Sequence, residues 1–73
     1  MQIRVKPIGL IRRFVSEAEI TLPDGVTPRQ LIGLLPIPGE LKMVAIVNGK
    51  SRDLDQSLED RDEVKLVTVI TGG

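Results

Sequence analysis

The last three residues, Thr71-Gly72-Gly73, hold the chemistry that this sequence can most readily offer. Glycine makes up about 7% of an average protein, so a chance terminal Gly-Gly arises in roughly one chain in two hundred. Lacking Cβ atoms, such a tail has almost no preferred backbone conformation. It can be threaded, extended, into a narrow active site that reads only backbone and a free α-carboxylate. Gly73 would then carry the reacting carboxylate, and Gly72 would supply the slack that delivers it. The competing reading is a frayed terminus, since last residues are usually poorly ordered.

Other chemistry is restricted by composition. The 73 residues include no cysteine and no histidine. Disulfides, Cys/His zinc sites and Cys or Ser-His nucleophiles are therefore excluded, and no metal site is expected. Asp60 and Asp62 lie in a turn-rich segment with no base, nucleophile or metal constellation around them; they read as turn formers and solubilising charge. An independent enzyme is the least supported function.

Ten Lys/Arg balance ten Asp/Glu, which argues against a nucleic-acid binder that works by neutralising phosphates. With Phe14 the sole aromatic residue, base stacking is poorly supported too. The charges are unevenly placed. Arg4, Lys6, Arg12 and Arg13 open the chain without an acid, whereas Asp53, Asp55, Glu59, Asp60, Asp62 and Glu63 face a single Arg61. This is either an acidic edge for a basic partner or a solvated loop. The start carries no apolar signal-peptide core, and no stretch nears the ~20 apolar residues of a spanning helix. A cytoplasmic location without membrane contact is the expectation.

The elements that must position the tail can be read from pattern. Residues 1–73 allow one small domain with no second core. Ile3 and Val5 alternate with Gln2, Arg4 and Lys6 as in a half-buried strand. Residues 8–16 read as a loop whose Leu10, Ile11 and Phe14 tuck under the core. Residues 17–22 alternate again, with Ala18, Ile20 and Leu22 facing in, and Pro23-Asp24-Gly25 is a turn. Thr27, Pro28 and Gln30 form a capping box with proline at the first helical position. Leu31, Leu34 and Leu35 are expected on one face of a short helix ended by Pro36 and Pro38. Met43 to Val47 is a strand, Asn48-Gly49 a hairpin turn, and Lys50–Arg52 its return. Leu54 and Leu58 fall in a turn-rich stretch with one short 3₁₀ turn expected. Glu63 to Ile70 is the longest strand. The order β-β-α-β-β-β predicts an α+β fold: a mixed sheet of four to five strands with one helix packed across one face. With the terminal strands central and parallel, the chain would end at the sheet's edge, its tail of about 71–73 projecting. This is the β-grasp, or ubiquitin-like, arrangement.

The residues themselves resemble the small sulfur carriers of the MoaD/ThiS family. The likeness lies in Pro23-Asp24-Gly25-Val26-Thr27, Val47-Asn48-Gly49-Lys50, Asp53-Leu54-Asp55, the run from Leu58 to Leu66, and Thr71-Gly72-Gly73. It implies a carrier rather than an enzyme. An ATP-dependent activating enzyme of the ubiquitin-activating type would adenylate the Gly73 carboxylate. A sulfur donor of the cysteine desulfurase or rhodanese type would then convert it to a thiocarboxylate. Sulfur would pass to a cofactor precursor, molybdopterin first and the thiamine thiazole next, with the large subunit of molybdopterin synthase as a further partner. ATP belongs to the activating enzyme, and no tightly bound cofactor is expected. Two features depart from the family pattern. Arg61 stands where relatives often have glycine, at a cost of about 1 kcal/mol if the turn needs a positive φ. Residues 67–70 lack the aromatic and paired prolines found before the tail in many molybdopterin-type carriers. The long connection at residues 8–16 favours the molybdopterin branch over the thiazole branch.

Ubiquitin-like folds often hold partners on the sheet face away from the helix. By strand parity Ala45 and Val47 face the core, leaving Val44, Ile46, Val67 and Val69 outward, next to Thr71. These are the expected partner-binding residues, weighed against the plain preference of β-branched residues for strands. Two alternatives share the same features. One is a ubiquitin-like modifier joined to lysine after the same activation. The other is a β-grasp docking module with an incidental tail.

Overall fold

A computed structural model of the chain describes residues 1–69. Strand β1 (Gln2–Pro7) leads through a 3₁₀ helix (Gly9–Arg13) to β2 (Ala18–Thr21). Helix α1 (Pro28–Leu34), β3 (Met43–Val47), β4 (Lys50–Arg52) and β5 (Glu63–Thr68) follow. The five strands form one sheet in the order β2-β1-β5-β3-β4. β1 and β5 are parallel and every other pairing is antiparallel. This is the β-grasp arrangement expected from the patterning. β5 occupies the middle of the sheet, so the chain leaves from the end of the central strand rather than from an edge strand.

Register explains the core. Val5 and Val47 both lie beside Val64, while Pro7 and Ala45 flank Leu66. The two rows cross three strands on one face, and Val5, Ala45, Val47, Val64 and Leu66 are all buried. Leu31 of α1, Ile11, Leu22 and Leu58 close over them. Each such aliphatic side chain stabilises the fold by roughly 1.5–3 kcal/mol through burial, which lets a domain this small do without a crosslink.

The helix begins as its sequence dictates. Thr27 Oγ1 accepts from the Gln30 N–H (3.2 Å), and the Thr27 N–H donates to Gln30 Oε1 (3.0 Å). The buried face differs from expectation at one position. Leu31 is fully buried, but Leu34 is 68% exposed and Ile32 packs inward with Leu35. At about 100° per residue, Leu31, Ile32, Leu35 and Pro28 share an arc of roughly 100°. Leu34 falls some 60° outside it.

Three further expectations are corrected and one is narrowed. Residues 8–16 hold a 3₁₀ helix rather than an irregular loop, and Leu10 lies exposed while Ile11 is buried and Phe14 half-buried. With three residues per turn, Ile11 and Phe14 share the inner face, and Leu10 goes with Arg13. The short 3₁₀ turn expected near Leu54 and Leu58 amounts to a single i→i+3 bond, the Gln56 N–H to the Asp53 carbonyl (3.2 Å), without a 3₁₀ helix. That stretch is built of turns, pinned where the Leu58 N–H donates to the Val26 carbonyl (2.8 Å). β2 is limited to Ala18–Thr21, and Ala18 is exposed on the edge strand. β5 spans Glu63–Thr68, so Val69 lies just beyond it, and Ile70, the expected last strand residue, lies outside the described residues.

Candidate functional site

The site is built from the end of β5 and the sheet face turned away from α1. Strand alternation decides it: Val64 and Leu66 point into the core, so Lys65, Val67 and Val69 point out. On β3, Ala45 and Val47 are buried, so Val44 and Ile46 share that outer face. The register sets Val44 directly opposite Val67, and Ile46 opposite Lys65. Val44, Ile46 and Val67 are half-buried by their neighbours, and Val69 is 45% exposed. Val44, Ile46 and Val67, three of the five expected partner residues, thus share one face of two adjacent strands as an apolar strip, and a fourth, Val69, is exposed just beyond β5. Thr71, Gly72 and Gly73 lie outside the described residues.

The strip runs toward the point of chain exit. Beyond the last strand residue, the Val69 N–H still donates to the Lys42 carbonyl (3.0 Å). The same carbonyl accepts from Thr68 Oγ1 (3.3 Å). The chain is therefore held to β3 through Val69. On the other side of β5 the surface turns charged. Lys6 lies opposite Lys65, and this like-charge pair is relieved by Glu63, whose carboxylate meets Lys6 Nζ at 3.2 Å.

The opposite end of β5 is locked by contacts that sequence reasoning missed. Asp62 is buried, 5% exposed, and is a structural residue rather than a solubilising one. Its Oδ1 accepts from Asn48 Nδ2 (2.8 Å) and its Oδ2 from the Glu59 N–H (2.8 Å). Asn48 completes the circuit, accepting from the Glu63 N–H at its Oδ1 (2.9 Å). Asn48 and Gly49 have φ values of 53° and 85°, as a tight hairpin turn requires. Asn48 thus does two jobs, making the turn and tying it to the start of β5. The only advance signal was a second turn-former cluster some dozen residues on.

Arg61 adopts φ 69°, so the turn does take the left-handed conformation that favours glycine. Its N–H donates to the Gln2 carbonyl (2.7 Å), and the Gln2 N–H donates to Asp60 Oδ1 (2.7 Å). The turn thereby staples the start of β5 to the start of β1.

One exposed ion pair braces the far side of the helix. Arg29 Nε and Nη2 donate to the two Asp55 oxygens at 2.8 and 3.2 Å. These hydrogen bonds, opposed by slight desolvation, hold the Asp55 carboxyl below the ordinary carboxylate range and raise Arg29 in turn. Among the described residues no group of acids converges as a metal site, and no helix is long and apolar enough to cross a membrane.

Comparisons with known proteins agree with this geometry. The sequence model of the ThiS family matches residues 5–73. The structure of SAMP1 from Haloferax volcanii is similar, with a TM-score of 0.74 at 18% identity and complete coverage of both chains. So is a protein described as molybdopterin converting factor, subunit 1, from Pyrococcus furiosus. It has a TM-score of 0.73 at 26% identity, over 94% of this chain and 98% of that one. A search of curated proteins finds no match.

Proposed function

The chain belongs to the ThiS family, and from that premise we propose that it is a sulfur carrier working through its Gly73 carboxylate. An activating enzyme transfers AMP from ATP to that carboxylate and releases pyrophosphate. The outer sulfur of a donor persulfide then attacks the acyl-adenylate and AMP leaves, giving an acyl disulfide. A second thiol cleaves its S–S bond, pairs with the donor sulfur as a disulfide, and leaves the tail as a thiocarboxylate. A carboxylate is a poor electrophile, and the adenylate supplies the leaving group. Two terminal glycines keep side chains clear of an attack that needs reacting atoms within about 3.5 Å. No group of the domain takes part in these steps. It is a co-substrate with a handle.

The observation that carries this reading is the apolar strip ending at the chain exit. Four residues follow Val69 and span at most about 14 Å when fully extended. An enzyme acting on Gly73 must therefore hold the body of the carrier close by. Val44, Ile46, Val67 and Val69 lie where that grip is needed. The acceptor we assign is a molybdopterin precursor, with a synthase large subunit as the further partner. The long β1–β2 connection and the likeness to a molybdopterin converting factor subunit support this choice over the thiazole. A location in the cytoplasm, where ATP is supplied, follows from the same reading.

Intact mass spectrometry tests the proposal. The protein is incubated with ATP, an activating enzyme of this class and a sulfur donor. The expected product gains the mass of one oxygen exchanged for one sulfur, and deleting Gly73 abolishes it. Isopeptide ladders on lysine instead of that mass change would identify a modifier. Activity that survives loss of Gly73 would identify a docking module.

A further inference from the structure

The outer sheet face is not the only surface at the tail-bearing end. The Ile8 N–H donates to the Leu66 carbonyl (3.0 Å), which seats the 3₁₀ helix beside the last residues of β5. Ile8 and Leu10 are 40% and 39% exposed. With Val69 they place three of the four most exposed large hydrophobic residues among the described residues at this end. Ile8, Arg12, Val15 and Glu17 line an open groove of about 470 Å³.

The charges around the groove are unbalanced. Among the described residues, Arg12 and Arg13 have no carboxylate within 4.0 Å. Arg4 meets two, with Glu17 at 3.6 Å and Glu19 at 3.5 Å. Glu17, the acid lining the groove, is thus engaged by a strand cation. Lys42, whose carbonyl holds Val69, adds a third cation, and Glu40 is the remaining acid nearby. Asp24, Glu59, Asp60, Asp62 and Glu63 lie at the opposite end of the sheet, together with Lys50, Arg61 and the N-terminal ammonium. Acids outnumber cations at that end, five to three, whereas Arg12, Arg13 and Lys42 outnumber Glu17 and Glu40 where the tail departs, so the tail-bearing end is the more cationic of the two. Such a field steers a partner of opposite charge to that end.

We propose that the shelf of Ile8, Leu10, Arg12 and Arg13 is a second docking surface, taken by an acidic segment bearing an apolar side chain on the enzyme that activates the tail. This rests on the carrier reading above. The apolar residue fills the groove beside Ile8 and Val15, Leu10 adds an exposed apolar contact outside the groove, and the acids meet the two guanidinium groups. The shelf and the outer strip then grip the carrier on two sides of β5, which fixes the direction in which the tail leaves.

The test is pyrophosphate exchange by the activating enzyme, measured against carrier concentration at low and physiological salt. Arg12→Glu and Lys50→Glu make the same charge change at opposite ends of the sheet. Arg12→Glu is expected to raise the half-saturating carrier concentration about tenfold with an unchanged plateau, and to flatten its salt dependence. Lys50→Glu should stay within about twofold. Leu10→Ser should raise half-saturation without altering the salt dependence. Arg13→Glu serves as the second variant if Arg12→Glu lowers the unfolding midpoint. Equal behaviour of the Arg12 and Lys50 variants overturns the shelf and leaves the carrier reading intact. So does a lowered plateau at unchanged half-saturation. Absence of exchange with the unaltered protein overturns the carrier reading, and the shelf with it.

Discussion

Replacing Arg61 by glycine should stabilise this protein. An L-residue held in the left-handed region costs roughly 1–2 kcal/mol, and Arg61 sits there with φ 69°. Glycine removes that cost but adds freedom to the unfolded chain, which returns about 0.5–1 kcal/mol. Little else is lost. The Arg61 side chain is 87% exposed, and its ion pair with Asp60, at 3.8 Å, is of the surface kind worth about zero to 1 kcal/mol. The backbone bond to Gln2 is kept. The net expectation is a gain of about 0.5–1 kcal/mol, or roughly 2–8 °C in Tm for a domain of this size. Urea unfolding measures it as a raised midpoint at unchanged slope. Arg61→Ala is the control, because it removes the side chain and keeps the Cβ that strains the turn. Alanine should give no gain. If alanine stabilises as much as glycine, the side chain and not the backbone is at fault, and the reasoning is refuted.

Asp62→Ala leaves the Asn48 amide and the Glu59 N–H without their acceptor. It should cost about 2–4 kcal/mol in urea unfolding, whereas a loss under about 0.5 kcal/mol would mean that water replaces the carboxylate. Ile46→Asp, on the outer face opposite Lys65, should weaken binding to an activating enzyme about tenfold while the unfolding midpoint stays close to that of the parent; unaltered sulfur transfer would remove the strip from the site. Arg29→Gln should show its effect through pH. Because Asp55 is held below its ordinary value, its contribution is fully present above the unfolded carboxylate pKa of about 4 and is lost as pH falls through the folded one. The stability gap between parent and variant should therefore be open at neutral pH and close in acid. A gap that is constant with pH would show that the pair contributes through packing alone.

Local signals carried much of the architecture. The capping box at Thr27, the Asn48-Gly49 turn and the strand Met43–Val47 stand where their residues put them, because each depends on neighbours a few positions apart. Strand parity likewise placed Val44, Ile46, Val67 and Val69 on one face, since a period of two leaves no choice once Val64 and Leu66 are buried. The errors fall where one local pattern had two solutions. Leu34 and Ile32 are equally apolar, and only the angle at which α1 meets the sheet decides which is covered. The same holds for Leu10 and Ile11, where the tighter turn of a 3₁₀ helix selected one.

The order of strands and helix and the likeness to the ThiS family were legible in the sequence itself, because both rest on residue types and their spacing along the chain. The tertiary structure decided what no local pattern encodes. Asn48 and Asp62 meet across 14 residues, and Arg61 accepts a strained φ because its N–H and the Asp60 side chain bond the start of β1. Ile8 comes to the tail-bearing end through its hydrogen bond to Leu66 and the pairing of Pro7 with the same residue. These contacts join segments distant in the chain, and their energies exist only once β1 and β5 lie side by side.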